Sequence, residues 1–292
     1  MTAALKKIYE AHIMLKQGFD FEELVKEILL MRHGAAGFIP TRPQKDRGCD
    51  GIIVATTTIV ACYGPQQYDI KAFSKKAKED YEEYKKHWKG IYPEWQFVFN
   101  GKLGPDAISE ITSLHSGSVP WGVDNIMSII ENEFNATQKR QVGKILGISN
   151  ALISQDYMEE ILENLLGMSN TNPDDLYQFR KSNLLDVEEK IKLNYDQDDI
   201  NIALSEFEDM LSEIFQTGKL FSAFTDEEQD RIKSRVRSDY KLANGKFKER
   251  IKIMTDNYLR QYSAINDDVY RHNVTSVLLY LFEQCLIGET KK

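Results

Sequence analysis

The first 120 residues alternate between stretches with helical hydrophobic spacing and short stretches rich in β-branched residues. Residues 5–16 have modest helical amphipathicity. A second helix is predicted to begin at Asp20 as its N-cap, with Glu23 three residues later as in a capping box. Gly34 and Gly37 predict its end. Apolar residues at helical spacing predict one buried face, formed by Phe21, Leu24, Val25, Ile28 and Leu29.

Residues 52–54 and 57–62 are rich in β-branched residues, are separated by a short turn region, and predict a hairpin. Residues 69–88 predict a long helix, and residues 95–99 predict a short buried strand. A helix over residues 105–113 and a last strand with its exit over residues 119–122 are expected to follow. The inner stripe of the long helix is predicted to consist of Phe73, Ala77, Tyr81, Tyr84 and Trp88.

This order of helices and strands predicts an α/β sandwich with a small mixed sheet over residues 1–122. After residue 123 only helical spacing remains, which predicts an all-α bundle over residues 123–292. Residues 170–175 are polar and turn-rich and form the clearest linker. The predicted helices span residues 124–146, 155–165, 176–179, 199–215, 226–241, 246–264 and 267–286.

Composition supports two domains, and charge separates their expected partners. The chain has 292 residues, of which 42% are apolar and 28% charged. Residues 1–121 hold 16 Lys and Arg against 15 Asp and Glu, a net charge of +1, whereas the remainder holds 21 against 30, a net charge of −9. The N-terminal part can therefore tolerate a polyanion, and the C-terminal part is expected to meet protein.

No apolar run reaches the roughly 18–20 residues that cross a bilayer, so we expect no membrane partner. The three cysteines are Cys49, Cys62 and Cys285, too few and too scattered for a disulfide framework or a zinc site. We therefore expect a cytoplasmic protein.

Two carboxylates are candidates for metal-dependent phosphodiester chemistry. Glu22 lies beside Val25 and Leu29 on the predicted second helix, and Asp50 lies at the entry of the first predicted strand. Both can reach one edge of the sheet. Two simpler interpretations remain open: Glu22 as a solvated first-turn acid, and Asp50 with Gly51 as an ordinary turn.

The segments Phe21-Glu22-x-Leu24 and Gly48-Cys49-Asp50-Gly51-Ile52 resemble the restriction-endonuclease-like superfamily known by its PD-(D/E)XK motif, especially Mrr-type and related defence nucleases. The resemblance covers about residues 15–122. It implies a site made of a helix glutamate, a strand aspartate and a Glu/Gln-x-Lys on the next strand, together with Mg²⁺. Glu22 and Asp50 match the first two positions.

The third position departs from that pattern, because Ala61 and Tyr63 stand where Glu/Gln and Lys are expected. Alanine offers no metal ligand, and tyrosine is a neutral phenol near pH 7. The departure predicts a degenerate site. The alternative is that Gln66 or Lys71 completes the site and that Glu22 and Asp50 hold Mg²⁺.

A lysine-rich face on the long predicted helix is a candidate contact for DNA phosphates. Its members are Lys71, Lys75, Lys78 and Lys85. The alternative is a solvated surface held by pairs within the helix, such as Glu82 with Lys85 or Lys86.

The run Asp186-Val187-Glu188-Glu189-Lys190 and the helices after it resemble the helical domain of ABC-three-component systems, of which the Lamassu antiphage systems are relatives. The resemblance implies docking onto an ATPase of the structural-maintenance-of-chromosomes type, with a small third subunit; a homo-oligomer is compatible with it. We expect a subunit of an antiphage complex whose degenerate nuclease-like domain binds DNA or holds partners. Two alternatives stay open: an active Mg²⁺-dependent DNA endonuclease and a pure interaction scaffold.

Overall fold

The computed structural model describes residues 1–41, 47–167, 186–261, 264, 267–284 and 286–289. They form two compact units. One unit spans Ala3–Asn150, and the other combines Met1–Thr2 with the chain from Ala151 onward. We call them the N-terminal unit and the helical unit. The predicted linker at residues 170–175, the predicted helix at residues 176–179 and Cys285 lie outside the described residues.

The N-terminal unit contains six helices and four strands among its described residues. Its elements are α1 (Ala3–Leu15), α2 (Gly18–Gly37), β1 (Phe38–Pro40), β2 (Gly51–Ile53), β3 (Thr58–Tyr63), α3 (Ile70–His87), β4 (Glu94–Phe99), α4 (Pro105–Leu114), α5 (Val123–Asn132) and α6 (Ala136–Leu146).

The strands form one mixed sheet in the order β1-β2-β3-β4. β1 pairs antiparallel with β2, β2 pairs antiparallel with β3, and β3 pairs parallel with β4. The last pair of β2 and β3 is Gly51 with Val60. A parallel bridge from Val98 to Trp121 stands where a full last strand was predicted. The coarse prediction of an α/β layout with a small mixed sheet is confirmed.

The sheet is covered on both faces. Ile59 and Ala61 of β3 pack with Phe73 and Tyr84 of α3 in one buried cluster, which Trp95 of β4 also joins. On the other face the buried stripe of α2 contacts β1, β2 and β3. Because both faces of β3 are covered, its residues are buried almost without alternation.

The long helix α3 forms as its sequence predicts. Asp69 is its N-cap, and the Asp69 carboxylate accepts a hydrogen bond from the backbone amide of Ala72 at 2.8 Å. Its buried residues follow helical spacing and confirm the predicted stripe through Tyr84. Trp88 follows the helix as its C-cap and is half-buried.

The beginning of α2 corrects one prediction. Its N-cap is Gln17, so Asp20 lies within the first turn, and the predicted capping box does not form there. Gly18, with φ +47°, lets the helix begin earlier than the apolar spacing indicates. The strand β1 was not predicted, since three residues that end in Pro40 carry little pattern.

Two predicted helices are each divided in the structure. The helix predicted over residues 124–146 breaks at Asn135, which caps α6 and accepts a hydrogen bond from the amide of Gln138 at 2.9 Å. The helix predicted over residues 199–215 breaks at Met210. The apolar residues keep their helical spacing across both breaks, so periodicity alone cannot predict where the helices end.

The compact units divide after Asn150, whereas the sequence placed its boundary after residue 122. Helices α5 and α6 pack on α1 and α2, and polar bonds fix them there. Tyr9 Oη donates to the carbonyl of Lys139 at 2.8 Å, and Arg32 pairs with Glu133 at 2.7 Å. The apolar side of α1 is thereby covered within the N-terminal unit.

The described part of the helical unit consists of helices. They are α7 (Asn150–Gly167, nearly all of it in this unit), α8 (Val187–Asn194), α9 (Ile200–Asp209), α10 (Leu211–Phe221), α11 (Asp226–Leu242), α12 (Phe247–Gln261) and α13 (Asp268–Glu283). Its densest helix contacts join α13 to α10 and α12. Among the helices that the structure describes, none is long and apolar enough to span a membrane.

Candidate functional site

Asp50 lies at the beginning of β2 and is buried, with 7% of its surface exposed. Its backbone amide donates to the carbonyl of Val60 at 2.8 Å, and its carboxylate accepts a hydrogen bond from the backbone amide of Cys62 at 2.6 Å. The carboxylate thus takes the place of a strand carbonyl just beyond the last β2–β3 pair. Asp50 is part of the sheet edge and not an ordinary exposed turn residue.

The glycines around Asp50 are required by the backbone. Gly48 has φ +71°, a conformation that other residues rarely adopt. A Cβ at Gly51 would lie 2.2 Å from the ring of Phe38 on the neighbouring strand. The short Gly-Cys-Asp-Gly run therefore serves to bring the carboxylate close against β3.

Glu22 and Asp50 converge on the thiol of Cys62. Burial raises the pKa of the Cys62 thiol well above its ordinary value, and the negative charges of Asp50 and then Glu22 raise it further. The positive charge of Lys26 opposes them, and Asp80 adds a smaller negative contribution. Two contacts bring these groups together: the Asp50 carboxylate bonds to the Cys62 amide, and α2 approaches the end of β3 so closely that a Cβ at Gly64 would lie 2.7 Å from Phe21, the neighbour of Glu22. We call Glu22, Lys26, Asp50 and Cys62 the Cys62 cluster.

Lys26 and Cys62 are the members of this cluster that sequence reasoning missed, and Lys26 is the charged one. It lies one turn after Glu22 on α2 and is only 4% exposed. Its ammonium lies 3.9 Å from the carboxylate of Glu23, which is itself exposed. The available signal was the i, i+4 spacing of Glu22 and Lys26 beside the apolar stripe, a spacing that places both on one side of the helix.

Val60 and Cys62 of β3, and Gly64 just after it, face α2. A Cβ at Gly64 would lie 2.7 Å from the side chain of Phe21 on α2, and the Cys62 thiol senses Glu22 and Lys26 of the same helix. Val60 supplies an apolar side chain, Cys62 supplies a thiol, and Gly64 has no side chain. The face that meets Glu22 and Asp50 thus lacks both the acid and the lysine that the resemblance implies.

Ala61 and Tyr63 stand where the acid and the lysine were expected, but both point to the opposite face of the sheet, which α3 covers. Ala61 belongs to the buried cluster under α3. The ring of Tyr63 lies 6.3 Å from Phe73 and 6.2 Å from Phe99, centroid to centroid. Burial raises the pKa of Tyr63, so it remains a neutral core residue near pH 7.

Gln66 and Lys71 do not join the Cys62 cluster. Gln66 is exposed in the segment between β3 and α3. Lys71 is exposed on α3, about 160° around the helix from Phe73, which packs on the sheet. The structure therefore leaves both residues on the surface.

The predicted lysine face lies on the outer side of α3, and most of its lysines have acidic neighbours. Lys71, Lys75 and Lys78 line one shallow depression on α3. Three of the four predicted lysines also have acidic neighbours: Lys75 lies 3.9 Å from Glu79, Lys78 lies 2.9 Å from Glu110, and Lys85 lies 2.6 Å from Glu82. Lys71 forms no ion pair with any residue that the structure describes.

The Cys62 cluster offers oxygen ligands from two carboxylates. Mg²⁺ usually keeps several waters and is held by one or two carboxylates together with substrate phosphates. Glu22 and Asp50 fit that limited role, although one Asp50 oxygen is already bonded to the Cys62 amide. Within the described ranges, no group of three or more His, Cys, Asp or Glu side chains is placed to hold a metal ion.

Comparison with family models, with curated proteins and with solved structures yields no significant match to the chain.

Proposed function

We propose that the N-terminal unit is a restriction-endonuclease-like domain with an incomplete catalytic site, which binds DNA without cutting it. The observation that carries the proposal is the Cys62 cluster. The negative charges of Glu22 on α2 and of Asp50 beside β2 both act on the Cys62 thiol, and the Asp50 carboxylate bonds to the Cys62 amide; this supports the pairing of a helix glutamate with a strand aspartate that the proposal requires. On the neighbouring strand, a thiol occupies the position that faces them.

We further propose that the chain is a cytoplasmic subunit of a bacterial antiphage complex. The helical unit would dock onto an ATPase of the structural-maintenance-of-chromosomes type, together with a small third subunit. The uneven charge supports this division of roles: residues 1–150 carry a net charge of +1 and residues 151–292 a net charge of −9. An acidic helical unit repels nucleic acid and leaves the N-terminal unit to meet it.

The lysine face of α3 is the proposed DNA contact. Its lysines project from the outer side of the helix, where flexible ammonium groups can approach phosphates. Its ion pairs are exposed and therefore worth little, so a polyanion can displace the acidic partners. Lys71 is the strongest member because no described acid neutralises it.

Charge reversal tests the DNA contact. The double variant Lys71→Glu with Lys75→Glu should weaken binding to duplex DNA and lower the salt slope of the binding constant by about one per lysine. The matched control reverses two exposed lysines of the helical unit, Lys241→Glu with Lys252→Glu, with the same change in net charge. Equal DNA affinities and salt slopes for the two double variants would refute the DNA contact and favour a protein scaffold.

A second candidate function, an active Mg²⁺-dependent DNA endonuclease, is favoured by Lys26. A buried lysine beside Glu22 can supply, from the helix, the positive charge that β3 lacks. When bound, Mg²⁺ would add Lewis-acid stabilisation of a phosphate oxygen. Should purified protein nick plasmid, Lys26→Met should abolish nicking and Lys26→Arg should retain part of it. Equal nicking by both variants would exclude this role for Lys26.

A further inference from the structure

A half-open cavity of about 410 Å³ lies within the helical unit, between helices α8, α9, α12 and α13. Its volume falls in the range of binding pockets, and its inner surface is mainly apolar. Among the apolar side chains that line it are Ile191, Phe207, Met210, Ile251, Leu279 and Phe282. A pocket of this kind accepts one or two large apolar groups.

The rim of this cavity carries two acids that no cation among the described residues pairs with. The cationic rim residue Lys248 already has an acidic partner, since it lies 3.2 Å from Asp199, and His272 lies 3.7 Å from Glu213. Glu206 and Asp209 also line the cavity and are exposed, and neither forms an ion pair with a residue in the described part of the chain. The rim therefore favours a cationic group beside the apolar pocket.

The negative charge of Glu206 on the rim also acts on Tyr195, an aromatic residue that lines the cavity. Burial raises the pKa of Tyr195, which lines the cavity, and the negative charge of Glu206 raises it further. Glu206 and Tyr195 both line the cavity, so the carboxylate can act on groups within the pocket. A ligand cation placed there would be stabilised by the same field.

Exposed apolar side chains extend this surface beyond the cavity. Ile202 is 53% exposed and precedes Glu206 by four residues and Asp209 by seven, so the three share one side of α9 over about 10 Å. Leu211 and Phe215 follow on α10 with 50% and 65% of their surface exposed. Ile202 thus adds an exposed apolar side chain on the side of α9 that carries the two acids, and exposed apolar surface beside an apolar cavity is typical of a protein interaction site.

We propose that this surface binds a basic amphipathic helix of a partner protein. We call it the acidic groove, formed by the cavity with Ile202, Glu206 and Asp209. An apolar side chain of the partner enters the cavity, and neighbouring Lys or Arg side chains pair with the two acids. The inference rests on the proposed docking role of the helical unit, and it defines the chemistry of the segment that docks.

A synthetic peptide of about 18 residues, five turns of helix with leucine on one face and lysine on the other, is a direct probe. Binding of the labelled peptide to the full chain is measured by fluorescence anisotropy. Glu206→Lys should weaken binding about five- to tenfold, because it places a like charge at the rim. The matched control is Glu208→Lys, an exposed residue of the same helix that faces away from the cavity, which should change binding less than about twofold.

A second pair of variants separates docking from general attraction between a basic peptide and an acidic protein. Ile202→Glu adds negative charge and removes apolar surface, so docking into the groove predicts weaker binding. Leu242→Glu makes a similar change at a residue on α11 that is 76% exposed, and it should leave binding unchanged or slightly tighter. Tighter binding by Ile202→Glu, or equal effects of Glu206→Lys and Glu208→Lys, would overturn the proposal.

The same variants keep this proposal distinct from the function proposed for the N-terminal unit. Glu206→Lys and Ile202→Glu should bind duplex DNA as the unchanged chain does. If Glu206→Lys and Glu208→Lys weaken peptide binding equally while the unchanged chain binds DNA, only the proposal for the groove is refuted. Loss of DNA binding in Lys71→Glu with Lys75→Glu, with peptide binding retained, would support the two proposals independently.

Discussion

The Asp50 carboxylate and the backbone amide of Cys62 lie 2.6 Å apart, joined by a hydrogen bond beyond the last residue pair of β2 and β3. The Asp50 side chain thus accepts a hydrogen bond at the place where the next strand carbonyl would accept it. The same carboxylate acts on the Cys62 thiol together with Glu22 from α2. Asp50 therefore both stabilises the sheet and contributes charge to the candidate site.

Asp50→Ala should destabilise the N-terminal unit by about 1–3 kcal/mol, because it leaves the buried Cys62 amide without its acceptor. Asp50→Asn keeps an oxygen at the same place and should cost clearly less. Urea unfolding followed by circular dichroism measures both. Equal losses in the two variants would show that the carboxylate charge, and not the hydrogen bond, is what the fold requires.

Gly64→Ala tests the contact between β3 and α2 that builds the site. The new Cβ would lie 2.7 Å from the Phe21 side chain, so the helix must shift, at a cost of about 1–3 kcal/mol. Gly90→Ala is the control, since a Cβ there meets no atom within 4 Å. A lower urea midpoint is expected for Gly64→Ala alone. Matching midpoints would contradict the close approach of α2.

The Cys62 thiol reports the charges around it with opposite signs. Glu22 raises its pKa and Lys26 lowers it, so Glu22→Gln should lower the thiol pKa and Lys26→Met should raise it. Because the thiolate is the reactive form, alkylation at fixed pH should be faster in Glu22→Gln and slower in Lys26→Met than in the unchanged chain. Mass spectrometry of the labelled peptides measures each rate.

Cys49 provides the internal control for that experiment. It is also buried, on the face of the sheet that meets α3. A variant that merely loosens the domain would speed alkylation of Cys49 together with Cys62. Rates that change in the same direction at Cys62 in Glu22→Gln and Lys26→Met would contradict the proposed cluster.

Helical periodicity was sufficient for much of this fold. Phe73, Ala77, Tyr81 and Tyr84 recur at the spacing of a buried stripe, and Asp69 caps their helix as its position suggests. The same signal could not find the breaks at Asn135 and Met210, where apolar spacing continues across two helices. Tertiary packing decides where such a helix ends.

The orientation of β3 was not accessible from the sequence for a related reason. A strand covered on both faces lacks alternation, so its apolar run does not indicate which residues meet α2. Ala61 and Tyr63 were therefore matched to the site although Val60, Cys62 and Gly64 face it. Lys26 escaped notice because a lone lysine in a helix usually lies in solvent.

Exposure of supercoiled plasmid to the purified chain with Mg²⁺ or Mn²⁺ tests the incomplete catalytic site most directly. We expect retarded plasmid mobility without nicking, the same for the unchanged chain, Glu22→Gln and Asp50→Asn, since β3 supplies no acid or lysine to the site. Nicking by the unchanged chain that both variants lose, with their folds intact by circular dichroism, would contradict the incomplete site.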